Sequence, residues 1–209
     1  MTTNDAFSAQ GTKLNRRGRA NRETILKVAI RCLASEGAEG MSANRIAKEA
    51  GVTWGTIQHQ FGDSDGVWAT VLENAADEVT SYRLTRTESH QVLARRVSAT
   101  VEWLRRALDS YPARAVQTVR MGLPRDQRAL EREFPKTLAA LAVVDDAWSA
   151  LIADMLEGLV ASKAKIERVR HLLPAAMHGI QMQADLSTLT DADAARRGLA
   201  EAITAYLEE

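Results

Sequence analysis

Apolar residues recur every three or four positions along most of the chain, and the breaks between such stretches fall at glycine, at proline or at a side chain able to cap a helix. From Arg22 to Gly37 the residues Ile25, Leu26, Ala29, Cys32 and Leu33 keep that spacing, and Gly37 stands where a left-handed residue ends a helix. This predicts a first helix. Ser42 then offers a capping hydroxyl, Ile46, Ala47 and Ala50 line one side, and Gly51 stops a second, short helix. Thr53 caps a third. Rotation by ~100° per residue from Ile57 puts Trp54, Ile57 and Phe61 inward and leaves Gly55, Thr56, Gln58 and His59 outward.

The rest of the chain continues the same period. A fourth helix begins near Asp63 or Ser64 and carries Val67, Trp68, Val71, Leu72, Ala75 and Val79; a fifth carries Leu93, Val97, Val101, Leu104 and Leu108 and ends before Tyr111-Pro112. A short sixth runs to Gly122-Leu123-Pro124. The seventh is long, with Leu138, Leu141, Trp148, Ile152, Met155 and Leu159 on one stripe. Ile166, Val169, Leu173, Ala176, Ile180 and Ala184 mark an eighth, and Asp193 helps start a ninth with Ala195, Leu199, Ala202, Ile203 and Tyr206 inward. No stretch alternates at strand period, so the fold class is all-α with about nine helices.

Two short helices joined by a turn containing glycine, the second with a small polar outer face, match the helix-turn-helix, whose second helix lies in a DNA major groove. The residues Thr24-Ile25-Leu26, Ser42, Arg45-Ile46-Ala47, Ala50-Gly51-Val52-Thr53, Gly55-Thr56-Ile57 and Phe61 resemble the N-terminal domain of the TetR family of ligand-responsive transcription factors. The chain departs from that pattern at Gln58, where a tyrosine is usual, and at Ser64-Asp65, where a Lys-Glu pair is usual and the lysine reaches a phosphate. The resemblance implies three parts: a flexible basic arm over 1–20, a three-helix DNA-binding domain over 21–66, and a C-terminal helical ligand-binding and dimerisation domain over 67–209.

Charge distribution changes the picture more than composition does. The 209 residues are 45% apolar and 26% charged, which is ordinary for a globular chain, and the formal net charge is zero. Yet residues 1–60 hold nine Lys/Arg against five Asp/Glu, and residues 61–209 hold eighteen against twenty-two. A basic head on an acidic body steers one end towards phosphate. Lys13, Arg16, Arg17 and Arg19 cluster in the arm, either along phosphates or as a solubilising tail. Cys32 is the only cysteine and falls on an apolar face, as a buried thiol would. The single cysteine, the absence of a signal-peptide pattern and the lack of an apolar run near ~18 residues predict a cytoplasmic protein without a membrane partner.

Candidate DNA contacts are Asn44 and Arg45 at the start of the second helix, and Thr53, Trp54, Gly55, Thr56, Gln58 and His59 on the third. Arg45 suits a phosphate, the threonines suit a phosphate or a base edge, Gly55 lets backbone come close, and the Gln58 amide matches adenine N6 and N7. Trp54 points inward by angle but sits near the bases by position. The resemblance also implies a pocket for a small apolar or amphipathic molecule. Its candidate lining is Trp103, Leu104, Met121, Trp148, Ile152, Met155 and Met177, with Arg120, Asp145 and His178 as polar groups to orient a ligand. The last two helices, with Ala176 and Gly179 in one and Gly198 and Ala202 in the other, are the implied homodimer interface.

An enzyme is the competing class, and the sequence offers it little. His59, His90, His171 and His178 are the only histidines, no cysteine or carboxylate completes a metal-ligand spacing, and neither a phosphate loop nor a nucleophile elbow appears. No cofactor is predicted. The remaining alternative is a helical protein-interaction module with a degenerate helix-turn-helix, motivated by Gln58 and Ser64.

Overall fold

The computed structural model describes residues 7–82, 93–186 and 191–209. The first six residues of the expected arm, and His90, lie outside this set. Ten α-helices and one 3-10 helix run through it: α1 Arg16–Glu36, the 3-10 helix Gly37–Met41, α2 Ala43–Glu49, α3 Trp54–Phe61, α4 Ser64–Ser81, α5 Leu93–Leu108, α6 Tyr111–Gly122, α7 Gln127–Glu133, α8 Pro135–Leu156, α9 Lys163–Leu186 and α10 Ala192–Glu208. The fold is all-α. The helix beyond the predicted nine is α7, opened by the Asp126 carboxylate accepting from Ala129 N at 2.8 Å. Pro112 sits in the first turn of α6, where its missing N–H has no intrahelical acceptor to disappoint.

The chain divides into two compact units, Met1–Thr80 with Tyr111–Asp146 and Ser81–Ser110 with Ala147–Glu209. The boundary predicted at residue 66 does not coincide with either. All of α4 but its last residue belongs with the helix-turn-helix, with Gly66, Val67, Trp68, Val71, Leu72, Ala75 and Ala76 buried along it.

In the first unit α1 starts six residues earlier than its apolar stripe predicts. Asn15 caps it, accepting from Gly18 N at 2.8 Å, and Leu14 is only 6% exposed. Residues 7–20 are therefore not a free arm. After α1 the chain folds straight back: a Cβ on Gly40 would stand 2.3 Å from the Cys32 carbonyl oxygen, so only glycine lets the 3-10 helix lie against α1. Helix α6 also packs on α1, with the Thr118 hydroxyl donating to Leu33 O at 2.9 Å. At the other end, Asp65 in the first turn of α4 is 5% exposed and accepts from the backbone N–H groups of Lys136 and Thr137, at 3.0 and 2.8 Å. Helix α8 thus has its opening N–H groups satisfied by a carboxylate some seventy positions away.

The second unit is built on one apolar cluster. Val97, Val101, Leu104 and Leu108 of α5 meet Ile152 and Leu156 of α8, Val169, Leu173 and Met177 of α9, and Ala200, Ile203 and Leu207 of α10. Each such side chain contributes roughly 1.5–3 kcal/mol when fully buried. The predicted stripe of α5 is this face, with Leu93 packed at its edge. Of the predicted α9 and α10 stripes Val169, Leu173 and Ile203 are buried, Ile166, Leu199 and Tyr206 pack against the cluster, and Ala184 and Ala202 are exposed. Met177, Ala200 and Leu207 take inward positions outside the predicted stripes.

Helix α8 departs from its predicted face. Its buried positions are Thr137, Ala140 and Val144 in the first unit and Leu151, Ile152 and Leu156 in the second, whereas Leu138, Leu141 and Trp148 are half-buried. The residues from Leu138 to Val144 are apolar without interruption, so no polar side chain marks the outer face. Leu159 lies beyond the helix, which gives way before Gly158 at φ 72°.

Candidate nucleic-acid interface

The first turn that matters is the one joining α2 to α3. Ser42 caps α2 by accepting from Arg45 N at 3.4 Å, and Gly51, at φ 66°, takes the left-handed conformation that turns the chain between the helices. Thr53 caps α3, its Oγ1 accepting from Thr56 N at 3.2 Å and lying 3.1 Å from the Thr56 hydroxyl. Ile57, Gln60 and Phe61 face the interior, so α3 is oriented from one side only.

The opposite side carries the predicted contacts. Thr53, Gly55, Gln58 and His59 are exposed, with Thr56 and Trp54 half-buried. Trp54 therefore keeps both roles its position suggested. A Cβ on Gly55 would meet nothing nearer than Thr53 Oγ1 at 3.7 Å, so the protein's own packing has no need of glycine there. Asn44 is exposed at the head of α2. Arg45 is exposed but engaged: its guanidinium holds Glu36 through two hydrogen bonds of 3.0 and 3.1 Å and lies 3.7 Å from Glu49. That pairing raises its pKa, first through the Glu36 hydrogen bond.

Behind α3 sits a polar strut that sequence reading missed. The Arg22 guanidinium, on α1, donates to Gln60 O at 2.5 Å and to the Thr70 hydroxyl at 3.3 Å, and lies 4.3 Å over the Phe61 ring. Burial pulls its pKa down, and the Glu73 carboxylate opposes that. Gln60 in turn donates from Nε2 to Gly18 O at 3.5 Å. Three helices are thus tied at the C-terminal turn of α3. Nothing in the local spacing of Arg22 or Gln60 announces this, since the partners are thirty-eight or more positions apart.

The ten predicted pocket residues separate into two groups. Arg120, Met121 and Asp145 belong to the first unit, the other seven to the second. Asp145, one of the polar groups predicted to orient a ligand, is 58% exposed and paired with Arg120, because Val144 and not its neighbour takes the inward position. Met121 is 62% exposed. In the second unit Leu104, Ile152 and Met177 are buried core, while Trp103, Trp148, Met155 and His178 are half-buried. Trp103 meets Trp148 edge to face at 6.3 Å and Tyr82 at 5.1 Å, and His178 Nδ1 is hydrogen-bonded to Pro174 O at 2.8 Å. Among the described residues no three His, Cys, Asp or Glu side chains group as a metal site would need, and no helix is long and apolar enough to cross a membrane.

Comparison with known proteins bears on the same segment. Residues 25–67 match the family model described as bacterial regulatory proteins, tetR family. An HTH-type transcriptional regulator of Staphylococcus aureus (strain USA300) is 37% identical over 57 residues, which span 27% of this chain and 31% of that relative. The chain therefore aligns with less than a third of the curated relatives' length. Two solved structures extend the likeness in fold. A transcriptional regulator from Rhodococcus sp. Rha1 superposes with a TM-score of 0.67 at 22% identity, covering 90% of this chain and 96% of its own. A regulator from Saccharomonospora viridis, solved with choline, gives 0.62 at 18% identity over 91% and 97%. The tetR-family signature thus lies on the helix-turn-helix at residues 25–67, and the chain shares its all-α fold with these solved structures over nine-tenths of its length.

Proposed function

We propose that this protein is a DNA-binding transcriptional regulator, without enzymatic activity, that reads a palindromic operator through α3 and is released from it by a small apolar or amphipathic molecule. The observation that carries the reading is the outer ridge of α3. Gln58 and His59 are exposed beside a glycine the protein does not need, on a helix fixed from behind by Arg22 and Gln60. On this reading the protein is a repressor that the ligand releases from its operator.

Two copies are needed to read two half-sites about 34 Å apart. Helix α9 offers the surface: Leu172, Met182 and Leu186 are exposed apolar side chains at near-heptad spacing, with Gly179 among them and Leu186 75% exposed. On α10, Ala194, Gly198, Ala202 and Ala205 leave a small-residue stripe that is likewise exposed. Helices pack closely across such stripes. For the ligand, the half-buried Trp103 and Trp148 with Met155 and His178 supply contact area and one hydrogen-bonding group at the edge of the second unit's core. The structurally similar regulator from Saccharomonospora viridis was solved in complex with choline, a small cation.

Selection from random duplexes tests the reading: a palindrome is enriched, and binding to it weakens steeply with salt. Enrichment of no sequence, with one affinity for all DNA, would support the interaction-module alternative instead. Gln58→Ala loses about 1–3 kcal/mol on the selected site and relaxes preference at one base pair. Trp148→Ala, checked by circular dichroism to be folded, keeps operator binding but is no longer released by the apolar molecule that releases the wild type.

A further inference from the structure

The N-terminal segment is folded onto the recognition helix. Phe7 and Lys13 pair as an antiparallel bridge around a turn in which Ser8 N–H donates to Thr12 O at 2.9 Å and Thr12 N–H to the Ser8 hydroxyl at 3.2 Å. Ser8 and Leu14 are buried. The turn is seated at one place: Ala9 N–H donates to the His59 carbonyl oxygen at 3.2 Å, and a Cβ on Gly62 would stand 3.4 Å from the Ala9 Cβ. Arg19 donates to Leu14 O at 3.3 Å, which ties the end of the turn to the first turns of α1.

This seat lies at the C-terminal turn of α3. An eight-residue helix is about 12 Å long, close to the width of the major groove, and such helices read bases with their N-terminal residues. Its far end therefore comes up against the wall of the groove, which is the phosphate chain. There the fold presents Lys13, Arg16 and Arg17, all exposed. The two arginines open α1, whose first turn holds no acidic residue. Cations at the positive end of a helix dipole oppose stability, so their placement is not explained by folding.

We infer that residues 7–17 are a fixed phosphate-gripping element. Arg16 and Arg17 contact the DNA backbone beside the groove that α3 enters, and the 7–14 turn holds them there by its bond to His59. This rests on the DNA-binding reading above and adds to it a sequence-independent contact outside the helix-turn-helix.

The test is the salt dependence of binding by the full chain to its selected site and to random duplex. The double variant Arg16→Ala/Arg17→Ala gives a log-log salt slope shallower by about 2, and weakens both duplexes by the same factor. Its thermal midpoint stays level or rises, since two cations leave the helix start; a purely structural role would lower it. Deleting residues 1–14 while keeping both arginines also flattens the slope, because the turn no longer places them. An unchanged slope in the double variant, or a loss confined to the selected site, overturns the inference. Failure of the wild type to bind any duplex overturns the DNA-binding reading itself, so the two failures are distinguishable.

Discussion

Both units bury an apolar core, but they are locked in different ways. The first unit adds polar ties that reach across the sequence and into its interior: Asp65 to the start of α8, Thr118 to Leu33, and Arg22 to Gln60 and Thr70. Among the described residues the second unit's long-range polar contacts are exposed, as with Arg168 on the Tyr206 hydroxyl at 2.9 Å and Arg96 on Glu157 O at 2.7 Å, or only part-buried, as with Arg170 on the Ser149 hydroxyl at 2.8 Å; none is fully buried as the Asp65–Thr137 bond is. Its interior is held by side-chain volume. Hydrogen bonds are directional and packing is not. On the proposed reading, the first arrangement suits a recognition helix, which must keep its angle, and the second suits a region that changes shape at little cost to accommodate a ligand.

The largest effect expected from this difference is at Leu173, fully buried among α5, α8, α9 and α10. Leu173→Ala costs about 2–5 kcal/mol in chemical denaturation, whereas Leu173→Met, of similar volume, costs less than about 1.5 kcal/mol. If the methionine variant is as damaged as the alanine one, the second unit is not held by volume and the comparison breaks.

Asp65 provides the counterpart in the first unit. Asp65→Asn changes shape as little as Leu173→Met does, yet it replaces one acceptor oxygen by an NH2 group facing a backbone N–H. It also removes the charge from the bonds to Lys136 and Thr137. The expected loss is about 1–3 kcal/mol. A loss smaller than that of Leu173→Met would mean that the polar ties are incidental.

The same contrast decides what the sequence disclosed. Helix α3 was legible because polar and apolar residues alternate around it, so Ile57 and Phe61 fixed one face and Gln58 and His59 the other. Helix α8 was not, since Leu138 to Val144 presents apolar side chains in every direction and leaves its face to be chosen by the Asp65 tie. That tie is itself invisible in local pattern, its partners being seventy-one and seventy-two positions apart. The segment before α1 misled for the opposite reason. Its composition is polar, and among its described residues only Ser8 and Leu14 are buried, too few to register as a stripe. Dimer and ligand surfaces belong to the resemblance, because an exposed stripe such as Leu172, Met182 and Leu186 says that something covers it without saying what.

The smallest expected effect sharpens the comparison from inside the first unit. Cys32 is buried on α1, and burial, with Glu36 next, raises its thiol pKa above the ordinary value. A group that keeps its proton longer when folded adds stability that is fully present below its unfolded pKa of roughly 8.5–9 and is lost as pH rises through the raised value. Wild-type stability should therefore fall more steeply between about pH 8 and 10 than that of Cys32→Ala. The thiolate is also the species that reacts with disulfide reagents, so labelling of Cys32 near pH 8 is slow and proceeds through opening of the first unit. In the Asp65→Asn variant that labelling quickens, because the tie that keeps the unit closed is weakened. Equal labelling rates in wild type and variant would show that Cys32 is reached by a local fluctuation of α1 that the Asp65 contact does not restrain.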